Sequence, residues 1–248
     1  MMMAARTELQ QQLLDQERHQ HARIDPHGRT AGLPDVILGG QDGLVNVLGI
    51  ILGVAVASGD PRLVLTAGLA AALAESVSMG AVAYTSTLAQ ADFYESERSR
   101  EFRHIQLYPN HEKEEVRLIY QAKGFEGELL YQIVSKITAD PETWVTVMLA
   151  EKHHLSPVDR GKAVVSAVVV GFSALIGSLI PLAPFLVLEL PASVWAALAV
   201  SALTLFGVGV YKAQVTTVGR PARSGLEMAV IGTISALIGY AIGLLLKV

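Results

Sequence analysis

The chain has 248 residues, of which 51% are hydrophobic and only 6% aromatic, and its formal net charge is −4. It contains no cysteine, which excludes disulfides, thiolate metal sites and a cysteine nucleophile, and we expect no nucleic-acid partner. The apolar residues form long blocks, whereas an average soluble domain spaces them at periods of 2 or 3.6 residues.

The first 31 residues are polar and lack the apolar core of a signal peptide, so we expect a cytosolic amino-terminal arm over 1–31. Each of the five apolar blocks that follow reaches the roughly 20 residues needed to cross a membrane. The blocks cover 34–58, 63–90, 163–188, 191–211 and 224–246. They lack the alternation of barrel strands and predict an all-α integral membrane protein with five transmembrane helices. The expected domains are 32–90 with helices one and two, a helical cytosolic metal-binding insert over 91–161, and 162–248 with the last three helices.

The basic residues predict the orientation of these helices. If the amino terminus is cytosolic, seventeen of the 19 Lys and Arg residues lie on the cytosolic side. The positive-inside rule therefore predicts a cytosolic arm and insert, with Val248 outside. Since no organellar signal is visible, we expect a multi-pass protein of a prokaryotic plasma membrane.

The first span carries small and polar residues at steps of three and four, which predicts one stripe along a helix. They are Asp35, Gly39, Asp42, Asn46, Gly49 and Gly53. Such a stripe either packs against another helix or lines a wet path. A carboxylate near mid-membrane costs about 2.5–3.5 kcal/mol. We therefore favour a transport role for Asp42, whereas Asp35 lies near the cytosolic edge and can simply cap the helix.

The second span contains Glu75 and Met79, which are four residues apart and hence on one helix face. Alone, Met79 would be interpreted as core packing. A thioether beside carboxylates, however, suits a borderline-soft divalent metal better than magnesium or calcium. We therefore place Glu75 on the predicted path with Asp42, Asn46 and Met79.

The insert is predicted to be helical. The second span has no proline before Pro109 and can continue as one helix to about residue 104. Three shorter helices are expected at 111–123, capped by Asn110, at 127–137, and from Pro141 to about residue 154.

Potential metal ligands recur three residues apart in this insert: Glu101 and His104, Glu112 and Glu115, and Met148 and Glu151. Carboxylate and imidazole are the ligands expected for iron, manganese or zinc. Acidic residues in a first helical turn also favour the helix dipole, and structural ion networks produce similar clusters. Spacing alone leaves both interpretations open.

Two runs, GLPDVILGGQDGLVNVLGIILG and AESVSMGAVAYTSTLAQADFYESERSRE, resemble the vacuolar iron transporter family. That family includes plant and yeast vacuolar iron importers, bacterial relatives and nodulin-like proteins. The resemblance covers about Gly32 to Val248 and implies a homodimer in which the first two helices form the metal path. It implies that Asp42 and Met79 are the transport residues and that Asp35 lies at the cytosolic mouth.

The family's insert binds metal through glutamates and methionines, and four positions match: Glu101, Glu112, Glu115 and Met148. His104 stands where the family usually has another glutamate, and Leu149 replaces a second methionine. The family's last glutamate aligns with Lys152, so Glu151 or a following histidine would have to serve.

The predicted function is a homodimeric metal–proton antiporter that exports iron(II), with manganese(II) as a second substrate, from the cytosol. Zinc and cobalt are further candidates, and no permanently bound cofactor is expected. Returning protons would neutralise the carboxylates and release metal, because ligands must be deprotonated to bind. The partners are thus divalent ions, protons, the lipid bilayer and a second copy of the chain, and no enzymatic activity is expected.

Two alternatives remain open. The motifs Glu101–His104 and Glu151–His154 are both E-x-x-H, and two such motifs with two more glutamates build di-iron carboxylate sites. Glu112 or Glu115 and Glu126 or Glu128 could complete a membrane-anchored ferroxidase. A membrane-tethered metal sensor would bind metal at the insert without transporting it.

Overall fold

The structure is a computed structural model that describes residues 32–216 and 220–246, together with residues 11, 14, 15 and 17. The predicted arm over 1–31 lies outside the described residues apart from those four positions, and so does Val248.

The first two helices are joined by a tight turn. Helix α1 covers Leu33–Ser58 and helix α2 covers Pro61–Leu107. Gly59 ends α1 in the left-handed region, with φ of 63°, where glycine has no steric penalty. Asp60 then accepts a hydrogen bond of 2.8 Å from the backbone N–H of Arg62. Helix α2 is 47 residues long and continues three residues beyond the predicted end.

Three short helices follow: α3 over Pro109–Ala122, α4 over Gly127–Thr138 and α5 over Pro141–Glu151. Asn110 does not cap α3, because Pro109 already occupies the first turn, where its fixed φ favours a helix start. Asp140 caps α5 by accepting a 2.9 Å hydrogen bond from the Thr143 backbone N–H. Helix α5 ends three residues before its predicted end.

The remaining helices are α6 over Lys162–Leu182, α7 over Pro184–Val187, α8 over Ala192–Val215 and α9 over Pro221–Leu245. Within the described residues, five helices are long and apolar enough to cross a membrane, namely α1, α2, α6, α8 and α9. This confirms the prediction of an all-α integral membrane protein with five transmembrane helices.

The chain divides into two compact units. The first contains residues 1–81 and 167–248, and the second contains residues 82–166. One boundary falls inside α2 and the other near the start of α6, so both of these helices contribute residues to both units.

Helix α1 is the centre of the first unit. Its residues Val47, Leu48, Ile51 and Leu52 are at most 1% exposed. They form one apolar cluster with residues of the neighbouring helices: Val64 and Ala72 of α2, Leu182 of α6, Phe185 of α7, Ala197 of α8 and Ala236 of α9.

Glycines allow the helices of this unit to approach closely, as expected for membrane helices packed without a hydrophobic driving force. A Cβ atom added to Gly177 would lie 2.1 Å from the carbonyl oxygen of Gly40, and one added to Gly239 would lie 2.1 Å from that of Gly49. Similar close contacts join Gly53 with Gly243 and Gly209 with Gly225.

These contacts bear on the prediction that the α1 stripe meets a second subunit. Gly39 packs against the backbone of Val170 in α6, whereas Gly49 and Gly53 face α9. Helices of the same chain therefore contact part of the stripe that was expected to meet a second subunit.

The second unit has its own apolar core, formed by Tyr94 and Ile105 of α2 with side chains from α3, α4 and α5. Val116, Val145 and Met148 in this core are fully buried. The acidic residues of the insert therefore lie beside an apolar core that holds the four helices together.

Candidate metal sites

The first candidate site joins α1 and α2 within the first unit. The Nδ2 of Asn46 donates a 3.2 Å hydrogen bond to the Oε1 of Glu75, and the Asp42 carboxyl group is a hydrogen-bond partner of Glu75. Two carboxyl groups and one amide thus meet in the apolar parts of two spanning helices. The structure brings together three of the predicted path residues, including Glu75, which was inferred without support from the family resemblance.

The register of α2 explains why Glu75 meets α1. Val64 and Ala72 are buried against α1, and Gly68 lies between them, close to Ile51. Glu75 and Met79 continue this series at steps of three and four residues, so they extend the same helix face. Close packing nearer the turn therefore determines which polar residues of α2 approach α1.

This polar group is partly open. Asn46 is exposed, whereas Asp42 and Glu75 are half-buried. Two carboxylates in contact repel each other, and charges at membrane depth are stabilised by pairing, by water or by a bound ion. A shared proton or a divalent cation removes this repulsion. The carboxylate and amide oxygens are suitable ligands for a divalent cation.

Met79 and Asp35 both lie farther from the turn between α1 and α2 than the contact of Asn46 with Glu75. Met79 is half-buried one turn beyond Glu75. The neighbouring Gly80 approaches the carbonyl oxygen of Ala167 in α6. Asp35 is half-buried in the first turn of α1, where an acid also favours the helix dipole.

The second candidate site lies in the insert. The carboxylates of Glu101 and Glu112 are only 1% and 3% exposed. The Nδ1 of His104 lies 3.9 Å from Glu101 and 3.8 Å from Glu112. Ligand atoms of Glu101, His104 and Glu112 lie within 4.8 Å of one another, and so do those of His111, Glu112 and Glu115. The structure therefore brings these glutamates and His104 together, and metal binding by them stays a prediction.

Lys152 enters this cluster from the end of α5. Its Nζ lies 2.5 Å from Glu115, 3.7 Å from Glu112 and 3.9 Å from Glu101. Burial acts to lower the pKa of Lys152, but its hydrogen bond to Glu115 and the nearby carboxylates raise that pKa overall. Lys152 is therefore a firmly charged cation among the glutamates.

The carboxyl groups respond differently to this arrangement. Burial and the hydrogen bond with Glu115 raise the pKa of Glu112. Burial acts in the same direction on Glu115, but its hydrogen bonds with Lys152 and Glu112 hold the Glu115 pKa below its ordinary value. The cluster thus contains one carboxyl group that retains its proton more readily and one that loses it more readily.

Of the two histidines that follow α5, His153 is the one that reaches the cluster. Its Nε2 lies 2.6 Å from the Oε1 of Glu101. The other oxygen of Glu101, and the Oε2 of Glu112, are buried without a hydrogen-bond partner. Buried carboxylate oxygens normally have a hydrogen-bond partner, so these two atoms have acceptor capacity that no described residue uses.

Met148 and Glu151 are placed elsewhere. Met148 is fully buried in the apolar core, which explains its position by packing, and metal binding through its sulfur stays a prediction. Glu151 forms a 2.5 Å ion pair with Lys123. The structure thus brings Lys152 and His153 to the carboxylates, whereas Glu151 is paired outside the cluster.

The same geometry weakens the ferroxidase alternative. Glu101 and His104 belong to the cluster, but of the second E-x-x-H motif Glu151 is paired with Lys123 and His154 is exposed beyond the end of α5. Glu128 is exposed and accepts a hydrogen bond from Gln132. A four-glutamate, two-histidine site of the proposed kind is not assembled by these residues.

Sequence reasoning identified Lys152 only as a departure from the family pattern. One signal could have revealed its position, because Lys152 follows Met148 by four residues and therefore lies on the same face of α5. Since Met148 is directed into the core, Lys152 is directed toward the neighbouring helices as well.

Fold and sites together define a polytopic helical membrane protein with acidic side-chain clusters in its spanning helices and in its insert. The family model described as the VIT family matches residues 33–244, and the chain belongs to this family. This confirms the resemblance inferred from the two sequence runs.

Several curated relatives cover most of the chain. A protein of Eucalyptus grandis named vacuolar iron transporter 1 is 31% identical over 92% of this chain and 90% of its own length. The rice protein of the same name is 30% identical over 90% of this chain and 89% of its own length. A Plasmodium berghei vacuolar iron transporter is 29% identical over 94% of this chain and 87% of its own length. These relatives are eukaryotic, so they give no support to the expected prokaryotic plasma membrane.

Proposed function

We propose that this protein transports iron(II), with manganese(II) as a second substrate, out of the cytosol. The observation that carries the proposal is the contact of Glu75 with Asp42 and Asn46 inside two membrane-spanning helices. Ionisable residues at such positions mark ion pathways. The names of the relatives, which are vacuolar iron transporters, support iron as the cargo.

The choice of metal rests on the donor set. Oxygen donors of Asp42, Asn46 and Glu75 with the thioether of Met79 suit iron(II) and, less strongly, manganese(II). The same donors make cobalt and zinc further candidates, whereas calcium and magnesium prefer oxygen ligands alone.

We assign capture of the ion to the insert and the obligatory step to Asp42 and Met79, with Asp35 as the entry residue. The buried carboxylates of Glu101 and Glu112 and the histidines around them supply the capture ligands. Returning protons would compete with the metal for the carboxylates and promote its release, which is the chemistry of a proton antiporter.

The membrane site also supports a homodimer. Asn46 is exposed near the middle of α1, where an amide facing lipid would be costly. A second copy of the chain would cover this face and complete the path.

Because the chain has no natural cysteine, single-cysteine variants test this directly. Ile50→Cys, on the exposed face, should crosslink between subunits. Val45→Cys should not, because Val45 packs near Gly232 of α9; the opposite pattern would refute the arrangement.

The orientation is proposed from the basic residues, with the insert cytosolic. A single cysteine at Lys123 should react with a membrane-impermeant reagent only from the cytosolic side. Labelling from the other side would reverse the proposed direction of transport.

The deciding experiment measures metal flux into proteoliposomes, with iron(II), manganese(II), cobalt(II) and zinc(II) tested separately. Asp42→Asn keeps the shape of the side chain and removes its charge, so it should abolish flux while the protein still folds and inserts. Glu227→Gln is the matched control, because Glu227 lies on α9 and pairs with Arg223. Normal iron flux in folded Asp42→Asn protein would refute the proposal.

A further inference from the structure

Lys152 occupies a position that a metal ion would also favour. Its ammonium group lies within 4 Å of carboxylates on two different helices, Glu101 of α2 and Glu112 and Glu115 of α3. We propose that Lys152 is a tethered cation that occupies the carboxylate cluster in the metal-free protein and must be displaced by the arriving ion. Lys152 thereby lowers the affinity of the insert for metal. This inference rests on the proposed capture role of the insert.

The charges of the cluster support this role for Lys152. One ammonium faces three carboxylates, two of which are almost completely buried. Buried carboxylates are costly without a cation, so Lys152 stabilises the cluster when metal is absent. It does so incompletely, because one oxygen each of Glu101 and Glu112 still has no hydrogen-bond partner. The cluster therefore retains both the negative charge and the free donor atoms that a divalent ion requires.

The side chain of Lys152 is also much more exposed than those of its carboxylate partners. The side chain of Lys152 is 31% exposed, whereas those of Glu101 and Glu112 are 1% and 4% exposed. A lysine carries its charge on a flexible four-carbon chain, so the ammonium can turn outward into water while the carboxylates stay in place. Glu101, Glu112, Glu115, His104 and His153 would then remain around the ion.

The consequence is a competition inside the protein. A tethered group competes at a high effective concentration that the length of its side chain determines. The apparent affinity for metal is lowered, and return of the ammonium assists release of the ion. Such a balance suits a capture site that must pass its cargo on.

The test is manganese(II) binding to the detergent-solubilised full-length protein, followed by electron paramagnetic resonance. Lys152→Met removes the competing charge and should tighten binding by at least about tenfold, or about 1.4 kcal/mol. Lys123→Met is the matched control, because Lys123 also forms a 2.5 Å ion pair with a glutamate, but with Glu151 outside the cluster. It should change the affinity by less than about twofold. Unchanged or weaker binding by Lys152→Met would overturn the inference.

A charge-conserving variant separates charge from side-chain shape. Lys152→Arg keeps the competing cation and should not tighten binding, so equal tightening in both variants would also refute the inference. Without metal, Lys152→Met leaves the carboxylates uncompensated and should lower the unfolding temperature, which added manganese(II) should restore. If this variant folds only when metal is present, that dependence supports the same conclusion; failure to fold in both conditions contradicts it.

Binding and transport outcomes remain distinguishable. Tighter binding by Lys152→Met in a protein that carries no metal flux would support the role of Lys152 and refute the proposed function. Normal metal flux by the wild-type protein, with no effect of Lys152→Met on metal binding, would support the proposed function and refute the role of Lys152.

Discussion

The contact of Glu75 with Asp42 and Asn46 predicts that Glu75 is as necessary for transport as Asp42. Glu75→Gln preserves the size of the side chain and its ability to accept a hydrogen bond from Asn46, which lies 3.2 Å away. It removes one of the two negative charges that attract a divalent ion. The substitution therefore tests charge and not packing.

The expected magnitude follows from electrostatics. At an effective dielectric constant of about 20, unit charges 4 Å apart interact by about 4 kcal/mol, and a divalent ion doubles this value. If desolvation offsets about two-thirds of that attraction, about 2.7 kcal/mol remains. Because each 1.36 kcal/mol is a factor of ten in rate, we expect iron(II) flux to fall about 100-fold.

The assay is initial iron(II) flux in proteoliposomes, normalised to the amount of inserted protein. Glu227→Gln serves as the control, since it removes a carboxylate from another spanning helix where Arg223 is the partner. The metal-free Glu75→Gln protein should be at least as stable as the wild type, because a like-charge contact is lost. Wild-type flux in Glu75→Gln would refute the reasoning and reduce the Asn46–Glu75 contact to a packing interaction.

Three further predictions concern the insert and the helix packing. His153→Ala should weaken manganese(II) binding in titrations of the full-length protein, whereas His154→Ala should not, because only His153 contacts a cluster carboxylate; equal effects would contradict the assignment. The raised pKa of Glu112 means that an arriving metal ion must displace a proton from this carboxyl group. The affinity for manganese(II) should therefore fall about tenfold per pH unit as the pH drops below that pKa. Glu112→Gln should remove this slope, and a slope that persists would assign the proton to another group. Gly177→Ala should lower the free energy of unfolding in detergent by about 1–3 kcal/mol, because its Cβ would meet the backbone of α1. Gly207→Ala should be neutral or raise it by up to about 1 kcal/mol, because nothing lies near that position; similar changes in both would contradict the packing argument.

The sequence alone determined the spans and most helix starts, because those depend on local properties. A block of about 20 apolar residues is sufficient to predict a spanning helix. Asp140 and Pro141 together mark a helix start through capping and a fixed φ, and the structure has a helix there. The family's two motifs also identified Asp42 and Met79 as candidates without knowledge of their neighbours.

The tertiary structure decided which side chains meet. The glycine stripe on α1 was visible in the sequence, but its division between α6 and α9 depends on helices more than 100 residues away. Likewise, the spacing gave Glu101, Glu112 and Glu151 alike as candidate ligands and gave Lys152 no role. Residues adjacent on a helix point about 100° apart, so Lys152 reaches the carboxylates of α2 and α3 while Glu151 pairs with Lys123. The packing of α5 against its neighbours chooses between those two directions, and no local pattern in the sequence determines that packing.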